Sequence, residues 1–300
     1  MKILLLNIDQ RFPNLALEKI ALWHKDDEVI WDMPIMASQC DKVYVSCIFS
    51  WNKNLCRQWE GIAEIGGSGY DITKTLSKQI EDVKPHINWG FTTRGCIRNC
   101  SFCIVPQKEG KIRDVGDLLD LWDGKAKQIT LLDNNILGLP NHFDLICKQA
   151  RDNKIKVDFN QGLDHRLLTD DICKTLKKTS HTEYRFAFDH PSYEKTVTKA
   201  IDMLRKHGIN RCMWYVLVGF NTTFDEDLSR LNFLRDRNQN VYVQRYNQCV
   251  LPEYIPLARW GNQRHIFQGM TWEQFLARPE NKRYAMQGKK DGRKRKSNEL

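Results

Sequence analysis

The sequence predicts an α/β protein in which buried parallel strands alternate with helices. Two observations carry this. Continuous apolar runs such as ILLLNI near the start and CMWYVLVGF at 212–220 have the make-up of strands covered on both faces. Between such runs, segments with apolar residues three and four apart recur along the whole chain. Three hundred residues, 41% of them hydrophobic, supply the core of one large or two modest domains.

Taken in order, residues 1–85 read as a small α/β unit with an open parallel sheet of Rossmann-like type. ILLLNI is its first strand, and Leu15 to His24 is a helix with Asn14 as N-cap. DKVYVSCIF is its second strand, Lys53 to Trp59 a helix, and EIGGSGYD a strand running into a glycine turn. A second domain, 86–250, begins with the strand INWGFTT. Val115 to Trp122 is expected to be helical, QITLLD a strand, and Phe143 to Asp152 a helix. The strand IKVDFN, the helix Asp170 to Lys178, the strand EYRFAFD and the helix Ser192 to His207 follow, the last ended by Gly208. CMWYVLVGF, a helix from Phe224 to Arg237 and NVYVQRYN complete six strand–helix units. Residues 251–287 read as an irregular cap with one helix, Trp272 to Ala277, and 288–300 as a disordered basic tail.

Net charge is +9, but Lys282 to Lys296 alone carries eight basic residues and one acidic one. The body is therefore nearly neutral and the basicity is local. No stretch reaches the roughly 20 apolar residues of a membrane span. The start turns polar too soon for a signal peptide, so a cytoplasmic, reducing environment is expected, in which thiols stay reduced. Seven of the ten cysteines, at 40, 47, 56, 147, 173, 212 and 249, are scattered and read as small buried hydrophobes.

The other three organise the chain. Thr92 to Arg113, TTRGCIRNCSFCIVPQKEGKIR, holds Cys96, Cys100 and Cys103 within eight residues. Three thiolates so close can share one metal centre if the chain loops back, which Gly95 and Asn99 permit. A structural zinc site takes four ligands, commonly in two separated pairs, and no second pair or His partner sits nearby. A four-iron cluster takes four cysteines, so three leave one iron open. A zinc site or a redox dithiol stays as the alternative.

This pattern resembles the radical S-adenosylmethionine (radical SAM) enzymes. The resemblance implies a partial (βα)6 barrel over residues 86–250 and a [4Fe-4S] cluster on Cys96, Cys100 and Cys103. It further implies that S-adenosylmethionine chelates the fourth iron through its amino and carboxylate groups. Reductive cleavage then gives methionine and a 5′-deoxyadenosyl radical that abstracts hydrogen from a substrate. The electron would come from a one-electron reductant such as flavodoxin or ferredoxin. Phe102 matches the aromatic position beside the adenine. At the strand ends, Asp133 and Asn134 occupy the place of acceptors for the methionine ammonium, although the family's Gly-Gly-Glu is absent. Asn160 and Arg166 follow the third strand, where an Arg can pair with the methionine carboxylate. Asp189 ends the fourth strand, where it can accept ribose hydroxyls, and His190 beside it can give a proton. Gly219 ends the fifth, where backbone approaches a flat ring. Each has a bland alternative: a helix cap for Asn134, a solvated Arg166, a capped turn at Asp189.

The first domain resembles the cobalamin-binding Rossmann-type domain that precedes many radical SAM cores, with Gly66-Gly67 at its last strand. The Asp-x-His-x-x-Gly motif that supplies a cobalt ligand is missing, since Lys25-Asp26-Asp27 follow His24. A domain that kept the fold and lost the cofactor is the preferred reading, with cobalamin left open. For the substrate, the basic tail favours nucleic acid, with Trp260, Phe267 and Tyr284 as stacking residues. Methylation, epimerisation or cyclisation of a small molecule or peptide is the alternative, and a non-enzymatic iron–sulfur or zinc protein the third. The lack of a recognisable tRNA-binding module speaks against a methylthiotransferase.

Overall fold

The computed structural model describes residues 1–246 and 251–281. Cys249, Tyr284 and the basic tail lie outside the described residues. The chain divides into two compact units, Met1–Asn134 and Asn135–Leu300.

The first unit opens with β1 (Lys2–Asn7), α1 (Leu15–Trp23), β2 (Glu28–Trp31), β3 (Lys42–Ser46) and β4 (Glu64–Gly66). The strands form a parallel sheet in the order β2-β1-β3-β4. β1 is apolar from Ile3 to Leu6 because both of its faces are covered. Leu4 and Leu6 pack with Val43, Val45, Cys56, Trp59 and Ile65, while Ile3 and Leu5 pack with Tyr44 and with Leu17 and Ile20 of α1. The Asn14 carboxamide accepts from the Leu17 amide at 3.2 Å and so starts α1 as expected. β2 corrects the sequence reading, which has no strand there. Its EVIW is short, half-exposed and at the sheet edge, so it lacks the apolar run that marks its neighbours.

The same unit continues with α2 (Lys78–Glu81), β5 (Trp89–Gly90), β6 (Thr93–Arg94), α3 (Val105–Lys108), β7 (Arg113–Asp114) and β8 (Gln128–Leu131). β5 pairs with β8 in parallel, and β6 with β7 antiparallel. The helix expected over Val115 to Trp122 is not formed. Asp117 instead accepts from the Leu119 and Asp120 amides at 2.8 and 3.1 Å, a local turn that competes with helix.

The second unit alternates α4 (Pro140–Asp152), β9 (Lys156–Phe159), α5 (Asp170–Lys178), β10 (Arg185–Ala187), α6 (Glu194–Lys206), β11 (Met213–Val218), α7 (Phe224–Asp236) and β12 (Asn240–Arg245). β10, β11 and β12 form a parallel sheet in sequence order, and Val157 of β9 bridges to His181 in the same sense. Phe186, Trp214 and Val216 from these strands are fully buried, as are Val197 of α6 and Leu231 and Leu234 of α7. Thr169 and Thr223 cap α5 and α7, and Thr223 forms a capping box with Glu226. Three helices follow, α8 (Tyr254–Gly261), α9 (Arg264–Gly269) and α10 (Trp272–Ala277), where the sequence predicts one. The architecture is thus mixed α/β with parallel sheets in both units. No helix among the described residues is long and apolar enough to cross a membrane.

Candidate functional site

The cysteine loop is held at its base by buried polar groups. Thr92 and Thr93 are fully buried, and Asp133, just after β8, accepts from all three of their nearest donors. These are the Thr92 amide at 2.7 Å, the Thr92 hydroxyl at 2.8 Å and the Thr93 amide at 2.6 Å. Burial pushes the Asp133 carboxyl above the usual carboxylate range, against the pull of these donors. Asn134 accepts from the Gly95 amide at 3.0 Å, so it fixes the loop entrance and caps no helix. Gly95 has φ +82°, and a Cβ there would collide with the backbone of Gly110 and Lys111. The loop closes through the Cys96 amide to the Gly110 carbonyl at 3.3 Å and the Val115 amide to the Thr92 carbonyl at 2.9 Å.

Cys96, Cys100 and Cys103 are all half-exposed on this loop. The Arg98 amide donates to the Cys96 sulfur at 3.3 Å, and the Val105 amide to the Cys103 sulfur at 3.4 Å. Phe102 is half-buried between the last two cysteines. Arg94 stacks on Phe91 at 4.2 Å and pairs with Glu81 and Glu109 at 3.2 and 3.0 Å, which ties α2 and α3 to the loop base. Among the described residues no group of three or more His, Cys, Asp or Glu side chains stands at metal-holding spacing. The donor chemistry nonetheless fits an iron–sulfur cluster: three half-exposed cysteines, two of them with amide donors to sulfur, on a loop braced from beneath. Of the other described cysteines, Cys40 is half-exposed, against the expectation of burial, and the rest are buried. Cys47, Cys147 and Cys212 are buried, and desolvation lifts each thiol to about 12, so they remain protonated.

In the second unit the expected residues gather at the carboxyl ends of β9, β10 and β11. Arg166 is partly exposed but held in place: Asp164 accepts from its Nε at 2.7 Å and its Nη2 at 3.1 Å, and the guanidinium lies 5.1 Å from the Tyr193 ring centre. The Asn160 carbonyl accepts from the Tyr215 hydroxyl at 2.6 Å, leaving its carboxamide as the group that can meet a ligand. Burial pushes Asp189 up to about 6, while Arg230 and Arg166 draw it down and Asp164 acts against them. His190 is exposed, and its Nδ1 accepts from the Ser192 amide at 3.2 Å, so it caps a turn. Gly219 has φ +77°, and its amide donates to Asp227 at 2.9 Å. A left-handed backbone is thus the structural reason for glycine there.

Sequence reasoning missed the group that fixes these ends. Asp227 and Arg230, one turn apart on α7, are both buried. Arg230 binds the Phe188 carbonyl, the Leu217 carbonyl at 2.7 Å and Asp227, and the Tyr254 hydroxyl of α8 donates to Asp227 at 2.8 Å. In sequence the pair looks like ordinary surface charge; its only signal is its place on the face that also carries Leu231 and Leu234. A second correction concerns base stacking. Trp260 and Phe267 are fully buried, the Trp260 indole donating to the Met270 carbonyl at 3.2 Å, so neither presents a ring to a base.

No family model matches the sequence. The chain is 25% identical over 190 residues to tRNA-2-methylthio-N(6)-dimethylallyladenosine synthase of Bdellovibrio bacteriovorus, covering 61% of this chain and 36% of that protein. It is 32% identical over 90 residues to the synthase of the same name from Porphyromonas gingivalis, covering 25% of this chain and 19% of that protein. An uncharacterized protein of Methanocaldococcus jannaschii is 25% identical over 153 residues, which is 46% of this chain and 34% of that protein. The chain therefore matches little more than a third of the length of any of these relatives. The first two similarities, although distant, support the superfamily relationship expected from the cysteine stretch, and they run against the expectation that set methylthiotransferases aside.

Proposed function

We propose that this chain is a radical S-adenosylmethionine enzyme that modifies RNA, with residues 86–250 as its partial barrel and the cytoplasm as its place of work. The observation that carries the class is the Cys96, Cys100, Cys103 loop, half-exposed and braced by Asp133. RNA as substrate rests on the distant similarity to two proteins named as tRNA-modifying synthases. Cys96, Cys100 and Cys103 would hold a [4Fe-4S] cluster with one iron left for S-adenosylmethionine. When bound, the cluster would supply the electron, received from a flavodoxin- or ferredoxin-type donor, that splits the sulfonium of S-adenosylmethionine into methionine and a 5′-deoxyadenosyl radical.

The residues of the chain do the rest. The Arg98 and Val105 amides withdraw charge from two sulfurs, which eases reduction. Asp133, with its acceptor sites taken by Thr92 and Thr93, holds the strand that carries the cysteines, and Asn134 holds the Gly95 turn. Phe102 would lie beside the adenine. Arg166, oriented by Asp164, would pair with the methionine carboxylate, and the Asn160 carboxamide can add a hydrogen bond. Asp189 accepts from ribose hydroxyls, and Gly219 brings bare backbone to the adenine face.

The test is to incubate anaerobically reconstituted protein with S-adenosylmethionine, dithionite and total RNA, then digest the RNA and weigh its nucleosides. A nucleoside mass that appears only with both reagents is expected, together with a faster yield of 5′-deoxyadenosine when RNA is present. Deoxyadenosine formed at a rate indifferent to RNA, with no nucleoside changed, would remove RNA as the substrate.

A further inference from the structure

The first unit contains a cavity of about 590 Å³ that none of the three loop cysteines lines. Its place is set by topology. In the order β2-β1-β3-β4 the chain winds one way from β1 and the other way from β3, so the connections that leave the two strands diverge at their carboxyl ends. The cavity opens there, between the start of α1, the end of β3 and the turn after β4. Its volume lies within the roughly 300–1,000 Å³ of small-molecule sites.

The glycine turn separates fold from site. A Cβ at Gly67 or Gly69 would collide with the backbone of Cys47 or Phe49, so packing explains both. Gly66 is different: its φ is ordinary, a Cβ there would meet nothing within 4 Å, and it lines the cavity. Nothing in the fold needs glycine at 66, and its bareness leaves room in the cavity.

The wall has two chemistries. Trp89, Phe91, Leu76 and Ile20 give an apolar side suited to a flat ring. Of the charged residues on the wall, Lys19 is committed to Glu81 at 3.0 Å, and Arg94 to Glu81 and Glu109. Lys74 and Lys78 also line it, and their ammonium groups make no ion pair among the described residues. Leu15 and Ala16, in the first turn of α1, also line the cavity, and first-turn amides have no partner within their own helix.

We infer that this cavity binds a nucleoside phosphate, the base against Trp89 and Phe91 and the phosphate at Lys74, Lys78 and the first amides of α1. The ligand is either a free mononucleotide or one nucleotide of a single-stranded RNA. The inference goes beyond the proposed function and needs neither cluster nor S-adenosylmethionine.

Binding is measured on the full chain by isothermal titration with the four 5′-ribonucleoside monophosphates, adenosine and a ten-nucleotide RNA. Saturable binding of at least one monophosphate or of the RNA is expected. Lys74→Ala with Lys78→Ala should weaken the phosphate-bearing ligand tenfold or more and leave adenosine unchanged, while Gly66→Leu, by filling the cavity, should remove both. Where RNA displaces the monophosphate the site reads a nucleotide within RNA; where it does not, the ligand is the free nucleotide. If Gly66→Leu unfolds, as read by its thermal melt, the lysine pair decides alone. Binding by none of these ligands, or binding that both variants leave intact, overturns the inference. Deoxyadenosine yield on the same preparations keeps its failure apart from failure of the radical assignment.

Discussion

Replacing Asp133 by alanine tests how the cysteine loop is held. The carboxylate takes the Thr92 and Thr93 amides and the Thr92 hydroxyl, at 2.6 to 2.8 Å, and both threonines are fully buried. Removing it leaves two amides and a hydroxyl without water or acceptor, at about 1–3 kcal/mol for each donor left unpaired. Part of this is offset, because burial already disfavours the charged carboxylate. The net loss should be about 3 kcal/mol, a large share of the 5–15 kcal/mol that holds a typical domain. Asp133→Asn keeps the oxygen that serves both amides and should lose less than about 1.5 kcal/mol. Urea unfolding gives the stabilities, and iron per chain after anaerobic reconstitution reports the loop. Both should fall together in Asp133→Ala and be largely retained in Asp133→Asn. An alanine variant of unchanged stability would refute the brace. Unchanged stability with lost deoxyadenosine would return Asp133 to contact with the methionine ammonium.

Further outcomes follow from the same geometry. Gly95→Ala forces a side chain into φ +82° against the Gly110 and Lys111 backbone, and should cost about 1–3 kcal/mol and lower iron retention; full iron loading would show that the loop does not need this turn. Arg230→Met leaves Asp227 buried and uncompensated and should cost about 3–5 kcal/mol in urea unfolding, whereas a loss under about 1 kcal/mol would remove the pair as the support of β10 and β11. Asp189 is raised from the ordinary 3.8 to about 6, so the folded chain binds the extra proton between those values and stability falls as pH rises from about 4 to about 6. The fall is at most about 3 kcal/mol, less because solvent reaches the half-buried carboxyl. In Asp189→Asn the drop in melting temperature over that range should shrink, and an identical slope would contradict the raised value.

Much of the alternation was legible because it is driven by local signals. Asn14, Thr169 and Thr223 mark helix starts with side chains that satisfy first-turn amides, and β1 and β11 announce two-sided burial by composition. What escaped depends on tertiary partners. β2 is ordered by pairing with β1, not by its own residues, and Asp117 withdraws the amides that a helix over Val115 to Trp122 would use. Aromatic residues near the C-terminus looked available for bases, yet Trp260 packs against Phe267 at 4.8 Å and Trp272 at 5.7 Å. At the site, residue types and spacing gave the three cysteines, whereas the roles of Asp164, Asp227 and Arg230 arise only when separate segments meet. Arg166 shows the same limit: its bidentate hold by Asp164 depends on the turn after β9, which periodicity does not describe.

The most direct test of the central claim is 5′-deoxyadenosine formation by the anaerobically reconstituted chain reduced with dithionite in the presence of S-adenosylmethionine. The account predicts product from the parent protein and from Cys147→Ala, and none from Cys96→Ala, Cys100→Ala or Cys103→Ala. Product that survives the loss of any one of the three, or a fully iron-loaded parent that yields none, would contradict it.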